Sequence, residues 1–242
     1  MKKRTTLLAS VLALAVVAQA SAAIFVQSIG DREATAEFEL AGGNLQVTLT
    51  NSSLADVLVP VDVLTAVFFD VAGDPALTRE SAVLAPGSAV YLGGVQVNVP
   101  GGVVGGEWAY LSGLSGMPGG ASQGISSTGL DTFGPHDRFP GDNLDGPQSP
   151  NGLSYGITSA GDDFTTGNGG TDVVLVQNSV VLTLGGLPQG FDIDDVCNVH
   201  FLYGTDLSEA LIIPEPASLL VWSLLAVIGL AIGWHRRRKP AA

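Results

Sequence analysis

Asp192, Asp194 and Asp195 form the densest acidic grouping in the 242-residue chain. In an extended backbone alternate residues share a side, so Asp192 and Asp194 face the same way. Such oxygen-rich groupings bind calcium, which takes six to eight oxygen ligands at about 2.3–2.6 Å. Three carboxylates do not fill that shell. Backbone carbonyls or another loop must complete it, and Asp142-Asn143-Leu144-Asp145-Gly146 or Asp162-Asp163 are candidates, although neither has the spacing of an EF-hand loop. Calcium is therefore the one cofactor the sequence suggests, and solvated acids in a turn are the plainer account.

Cys197 and His200 have the residue types of a thiolate nucleophile and its base. On a strand, residues three apart point to opposite faces, so the pair does not meet. Cys197 then reads as a small core residue or a free thiol at the rim, and a lone cysteine closes no internal disulfide. His136 and His235 complete a set of three histidines, too few and too scattered for a transition-metal site. No serine is placed at a strand-to-helix nucleophile elbow, no glycine-rich phosphate loop runs into a helix, and two acids in loops do not make a hydrolase. The expected protein is not an enzyme. A carbohydrate-binding module is the alternative, with Trp108, Tyr110 and Tyr155 as the aromatic residues available for a sugar platform; a secreted hydrolase is a further one.

Positioning these groups falls to β-strands. Ala34, Ala36, Phe38 and Leu40 alternate with polar residues, as do Leu45, Val47 and Leu49, with Gly42-Gly43-Asn44 between them. Period-two alternation around a glycine break predicts a hairpin with one buried face. Residues 57–71 are more continuously apolar through Val67-Phe68-Phe69, as in a strand covered on both faces, with Pro60 dividing the run. Residues 81–92 predict a second hairpin turning at Pro86-Gly87, residues 95–99 alternate again, and residues 107–111 form a short strand. Residues 112–170 are dominated by Gly, Ser, Pro, Asp and Asn, and read as a long surface excursion with some order, hiding short strands near residues 155–158. Its hydroxyls at residues 122–132 are candidates for glycosylation. Strands resume at 172–177, 179–184 and 196–203. The expected fold is all-β: one antiparallel β-sandwich over residues 24–212, of jelly-roll or immunoglobulin-like kind, although the Cys–Trp–Cys signature of true immunoglobulin domains is missing.

The two ends carry a different message. Met1-Lys2-Lys3-Arg4, an apolar run over residues 7–17 and the small residues Ala18-Gln19-Ala20-Ser21-Ala22-Ala23 predict a signal peptide over 1–23. It engages the Sec translocon and a signal peptidase, which cuts after Ala20, Ala22 or Ala23. Residues 217–234 contain no charged side chain and are followed by Arg236, Arg237, Arg238 and Lys239. That combination predicts a short membrane helix with its basic end held in the cytoplasm, leaving the body outside the cytoplasmic membrane.

Pro214-Glu215-Pro216 stands immediately before the apolar run. The triplet, the helix and the terminal basic cluster, in that order, resemble the PEP-CTERM sorting signal of exported proteins in Gram-negative bacteria. The resemblance covers residues 213–242 and speaks to handling rather than task. It implies recognition by an exosortase, a membrane protease thought to act as a transpeptidase, which removes the helix near Pro214-Glu215-Pro216. It implies an inner-membrane precursor, then delivery to the cell surface or an exopolysaccharide-rich matrix. Two prolines that fix φ and discourage helix leave an extended segment suited to a protease cleft. The stretch Val199-His200-Phe201-Leu202-Tyr203-Gly204-Thr205-Asp206 is similar to a closing strand and turn in some such proteins.

Outside the signal and the tail, Arg32, Arg79 and Arg138 are the only cationic side chains besides histidine, whereas of twenty-three acids only Glu215 lies outside the body. So acidic a surface repels nucleic acid and anionic lipid and favours solubility outside the cell. DNA and RNA are excluded as partners. An exported structural or adhesive protein, with exopolysaccharide as a partner, fits these constraints.

Overall fold

The computed structural model describes residues 22–133, 143–144, 152–208 and 211–212. The signal peptide before Ala22, Pro214, Glu215 and Pro216, the apolar run 217–234, the basic cluster, His136, Arg138, Asp142 and Asp145 lie outside the described residues. Within them the chain is all-β, with strands and short 3-10 turns and no α-helix.

The first three strands are a meander. β1 (Ala22–Ile29) pairs along its whole length with β2 (Arg32–Ala41), and β2 pairs with β3 (Asn44–Asn51). Gly42 and Gly43 connect β2 to β3 with φ of +60° and +86°. Left-handed φ at both central positions is what a two-residue hairpin turn of the right twist demands. The alternation is realised: Ala34, Ala36, Phe38, Leu45, Val47 and Leu49 are fully buried. Leu40, beside the turn, is instead exposed.

A loop and a 3-10 turn begun by Pro60 lead into β4 (Leu64–Val71), where seven of eight residues are buried. β4 is buried because it lies inside the second sheet with another layer on each face. β5 (Thr78–Leu84) and β6 (Ala89–Leu92) were expected to pair, and they do not. The turn at Pro86-Gly87 carries the chain from one sheet to the other, so β5 pairs in the first sheet and β6 in the second. A Pro-Gly signal marks a reversal but does not specify the strand beside which the chain lands. β6 does form a hairpin, with β7 (Val95–Val97), through Gly93-Gly94.

β8 (Ala109–Ser112), β9 (Gln123–Ser126) and β10 (Ile157–Thr158) come next, followed by β11 (Val174–Gln177), β12 (Ser179–Gly185), β13 (Val196–Tyr203) and β14 (Leu211–Ile212). The first sheet has the order β1-β2-β3-β12-β5. The second runs β14-β13-β4-β10-β11-β6-β7, with β9 sharing the β10 edge of β4 and β8 outside β9. The first sheet is purely antiparallel, whereas the second is mixed, since β10 and β11 run parallel. Only Asn178, at φ +85°, separates β11 from β12, and the chain changes sheets there.

The sheets face each other across one core. Phe38 meets Phe69 edge-on at 5.3 Å and Phe25 at 5.7 Å, and Leu64, Val67, Ile157, Val176, Phe201 and Tyr203 join them. A second cluster lies on the outer face of the nine-stranded sheet, where Met117, Ala121, Leu130 and Phe133 cover Ala66, Phe68 and Leu202. The Gly/Ser-rich excursion is therefore not simply surface. Gln123, Ser126, Ser127 and Thr128 are fully buried, which removes Ser126, Ser127 and Thr128 as accessible glycosylation acceptors.

The strand directions define two poles. The start of β1, the Gly42-Gly43 turn, the end of β4 and residues 192–195 lie at an entry pole, where Ala72 N donates to Asp195 O. The end of β1, the loop 52–59 and Gly204 lie at the far pole, where Gly204 N donates to Val63 O. β14 runs antiparallel to β13, with Leu211 opposite Leu202 and Ile212 opposite Phe201.

Candidate functional site

Asp192, Asp194 and Asp195 sit at the entry pole in a 3-10 turn that engages the carboxylates of Asp192 and Asp195. Asp192 Oδ1 accepts from Asp194 N at 3.2 Å, and Asp195 Oδ2 accepts from Asp192 N at 3.0 Å. This is a reciprocal capping arrangement that satisfies backbone donors at the start of the turn. The segments that might complete a calcium shell are elsewhere. Asn143 bridges to Ala109, and Asp162 is buried at the far pole between Val57 N and Asn168 Nδ2. No group of three metal-binding side chains converges among the described residues.

Cys197 is exposed whereas His200 is 5% exposed. A β-bulge lies between them: Cys197 opposes Asp70 and His200 opposes Phe68, so two residues of β13 stand against one of β4, and the extra residue brings the pair onto one face rather than the opposite faces expected, with Cys197 at its exposed end. Asn198 supports the bulge at φ +53°, a conformation asparagine tolerates better than most residues. The aromatic platform fails. Trp108 and Tyr110 are 0% and 2% exposed, and only Tyr155 is half-buried. The half-exposed aromatic pair is instead Tyr91 stacked on Phe164 at 4.1 Å, which sequence reasoning did not single out.

Around the bulge the structure gathers side chains of catalytic type. The spacing Gly-x-Ser-x-Gly does occur twice in the chain, around Ser122 and Ser154. Ser154 is buried in a turn, and Ser122 immediately precedes β9 with no helix after it, so neither stands at a nucleophile elbow. Ser122 Oγ lies 3.0 Å from Asp70 Oδ1 and 2.8 Å from Asp74 Oδ1, and Ser122 N donates to Asp70 Oδ1 at 2.7 Å. Asn198 Nδ2 donates to Asp70 Oδ2 at 2.7 Å and to Gly119 O at 3.2 Å, while Asn198 Oδ1 meets His200 Nε2 at 2.8 Å.

A serine nucleophile needs the imidazole between hydroxyl and carboxylate. Here an amide stands between carboxylate and imidazole, and the hydroxyl faces two carboxylates. The arrangement is a polar latch holding residues 117–123 onto β4 and β13. With Asn198 Nδ2 committed as donor, Oδ1 accepts, which fixes neutral His200 as the Nε2–H tautomer. His200 Nδ1 is buried and has no partner among the described residues. Burial lowers the His200 pKa despite the nearby Asp70 charge. For Asp70, burial acts upward, but the hydrogen bonds from Ser122 and Asn198 outweigh it and hold the carboxyl below its ordinary range.

The far pole offers a cleft of about 200 Å³ lined by Asp31, Arg32, Ser53, Asp56, Leu58 and Asp62, among others, beside an open depression of about 630 Å³. Arg32 grips Asp62 Oδ1 through Nε and a terminal nitrogen at 2.9 and 2.8 Å, and Asp62 Oδ2 accepts from Leu58 N and Val59 N. Buried Asn51 ties the floor to Ile157 O. The Tyr203 hydroxyl, whose pKa burial pushes up strongly, reaches Glu33 O. Asp56 Oδ1 accepts from Asp163 N at 3.0 Å, and beside these anchored groups stand Asp31 and exposed Leu54. Such a rim can accept hydrogen bonds from a hydroxyl-rich ligand; it contains no nucleophile paired with a base. Its residues come from two segments, 28–33 and 51–62, and no motif announces it.

No family model, curated protein or solved structure matches the chain.

Proposed function

We propose that this is an exported, non-enzymatic protein of the cell surface or extracellular matrix. Its tail at Pro214, Glu215 and Pro216 is recognised and cut by an exosortase, and its body serves a structural or adhesive role. One observation carries the proposal. The fully buried core residues run from Ala34 to Tyr203, inside the two expected processing segments. Removal of the signal and of the tail therefore takes away none of that core. The acidic composition supports a position outside the cell. A jelly-roll or immunoglobulin-like pedigree for the sandwich belongs to the same proposal, supported by its two facing, largely antiparallel sheets.

Replacing Pro214, Glu215 and Pro216 together by alanine tests the sorting step. The variant is expected to stay in the inner membrane with its C-terminus intact. Wild-type size and location for that variant would refute the proposal. The far-pole cleft favours exopolysaccharide as the adhesive partner, because the carboxylates of Asp31, Asp56 and Asp62 and the Ser53 hydroxyl line it beside exposed Leu58. Binding of the chain to acid-free polysaccharide, weakened by Asp56→Ala, checks that second reading; equal binding by both proteins rejects it.

A further inference from the structure

Exposed strand edges are templates for further pairing, and proteins blunt them with charge, proline, bulges, shortness or cover. Four of the edges here are protected. β5 carries Arg79 and Glu80 and is bridged by Val103; β8 is bridged by Asn143; β7 has three residues and β14 two. Among the described residues β1 has none of these devices. Its eight residues, AAIFVQSI, contain no charge, proline or glycine, pair with β2 without a bulge, and end their sheet. Ile24, Val26 and Ile29 are 61%, 56% and 52% exposed.

We propose that β1 is a self-association edge, on which a second copy of this chain adds its own β1 antiparallel to continue the five-stranded sheet. Charge selects the occupant. Copies this acidic repel one another over most of their surface, but the β1 seam is neutral. Of the acids around it, Glu33, Glu37 and Glu39 stand one strand inward on β2, Asp31 lies in the turn beyond Ile29, and Asp194 and Asp195 lie in the 3-10 turn at the other end of β1, so none is on the strand itself. Across a β1–β1 seam, the two β2 ladders are three strand spacings apart, about 14 Å. That exceeds the ~8–10 Å screening length at physiological salt.

The sequence is also self-complementary. A twofold axis at Phe25 sets Ile24 against Val26 of the second copy, and Ala22 against its Ser28, on the solvent face. Ile24 and Val26 then shield each other as a cross-strand pair, and no charge is buried. One strand per copy is a small interface beside the roughly 1,200–2,000 Å² of a stable complex, so pairing is weak and builds up where copies are crowded.

The test uses the full chain in detergent micelles, followed by sedimentation over a concentration series. Reversible dimerisation is expected, and Val26→Lys is expected to raise the apparent dissociation constant at least about tenfold, with the circular dichroism spectrum unchanged. Copies carrying Ile24→Cys mixed with copies carrying Val26→Cys, both with Cys197→Ser, should form the mixed disulfide in preference to either homodimer. The proposal is overturned if the wild type stays monomeric throughout. It is also overturned if Val26→Lys associates as the wild type does, which would assign pairing to the apolar tail, or if Val26→Cys is shielded from maleimide in the monomer, which would show the edge covered by the chain itself.

Discussion

The β1–β3 meander and the cover on the outer face of the nine-stranded sheet reach similar burial by opposite chemistry. In the meander every second residue is apolar, and Ala34, Ala36, Phe38, Leu45, Val47 and Leu49 disappear together into the core. In the cover, apolar Met117, Leu130 and Phe133 are joined by buried polar residues, most of them bonded: Ser126 Oγ donates to Thr128 O, Ser127 N donates to Thr65 O, and Tyr110 OH donates to Gln123 Oε1. The first region depends on area removed from water, the second on directional bonds whose loss leaves desolvated groups behind.

The contrast predicts the size and kind of damage. Phe38→Ala should be the most harmful substitution, costing about 3–5 kcal/mol of unfolding free energy in a denaturant titration, because the ring sits between Phe25 and Phe69. A small loss there would mean the two sheets do not share a tight core.

Gly119→Ala should cost less, about 1–3 kcal/mol. Gly119 has φ +62°, and a Cβ there lands 1.9 Å from His200 Nε2, so the turn must lift off the imidazole. Exchange of amide hydrogens should accelerate in residues 117–123 while the β2–β3 amides keep their protection, and His200→Ala should relieve part of the cost. Equal loosening of both regions would deny that the cover is a separate layer.

Acid should act on the latch before the core. The His200 pKa in the fold is lowered from 6.5, so below 6.5 the unfolded chain takes up the proton first. The stability this group preserves is complete above 6.5 and declines as pH falls toward the folded value. Asp70 is lowered from 3.8, so its contribution persists above 3.8 and is lost as pH falls through the folded value. Melting temperature against pH should therefore show two declines, the upper one absent in His200→Gln. A single decline near 4 in the wild type would remove His200 from the account.

The same contrast explains what was legible in the sequence. Alternation across residues 34–49 and the unbroken apolar run through Val67-Phe68-Phe69 are local signals of burial, and both gave the observed strands. Pro86-Gly87 signalled a turn but carried no information on its destination sheet. β9 was hidden because Gln123-Gly124-Ile125-Ser126 has a loop's composition. Its burial becomes affordable only when Thr65, Asp74 and Tyr110 supply partners from distant parts of the chain. The latch was hidden for the same reason: Asp70 meets Ser122 across 52 residues and Asn198 across 128. Ser122 did leave a trace, in its Gly-x-Ser-x-Gly spacing, but the fold puts that serine to structural use.

Mass spectrometry of both termini of the protein recovered from its native host tests the central claim most directly. An exported sandwich complete between Ala22 and Ile212 predicts an N-terminus at Ser21, which leaves all eight residues of β1 intact, and a C-terminus close to Pro214-Glu215-Pro216 with the basic cluster gone. A cytosolic chain that still begins at Met1 and ends at Ala242 would contradict it.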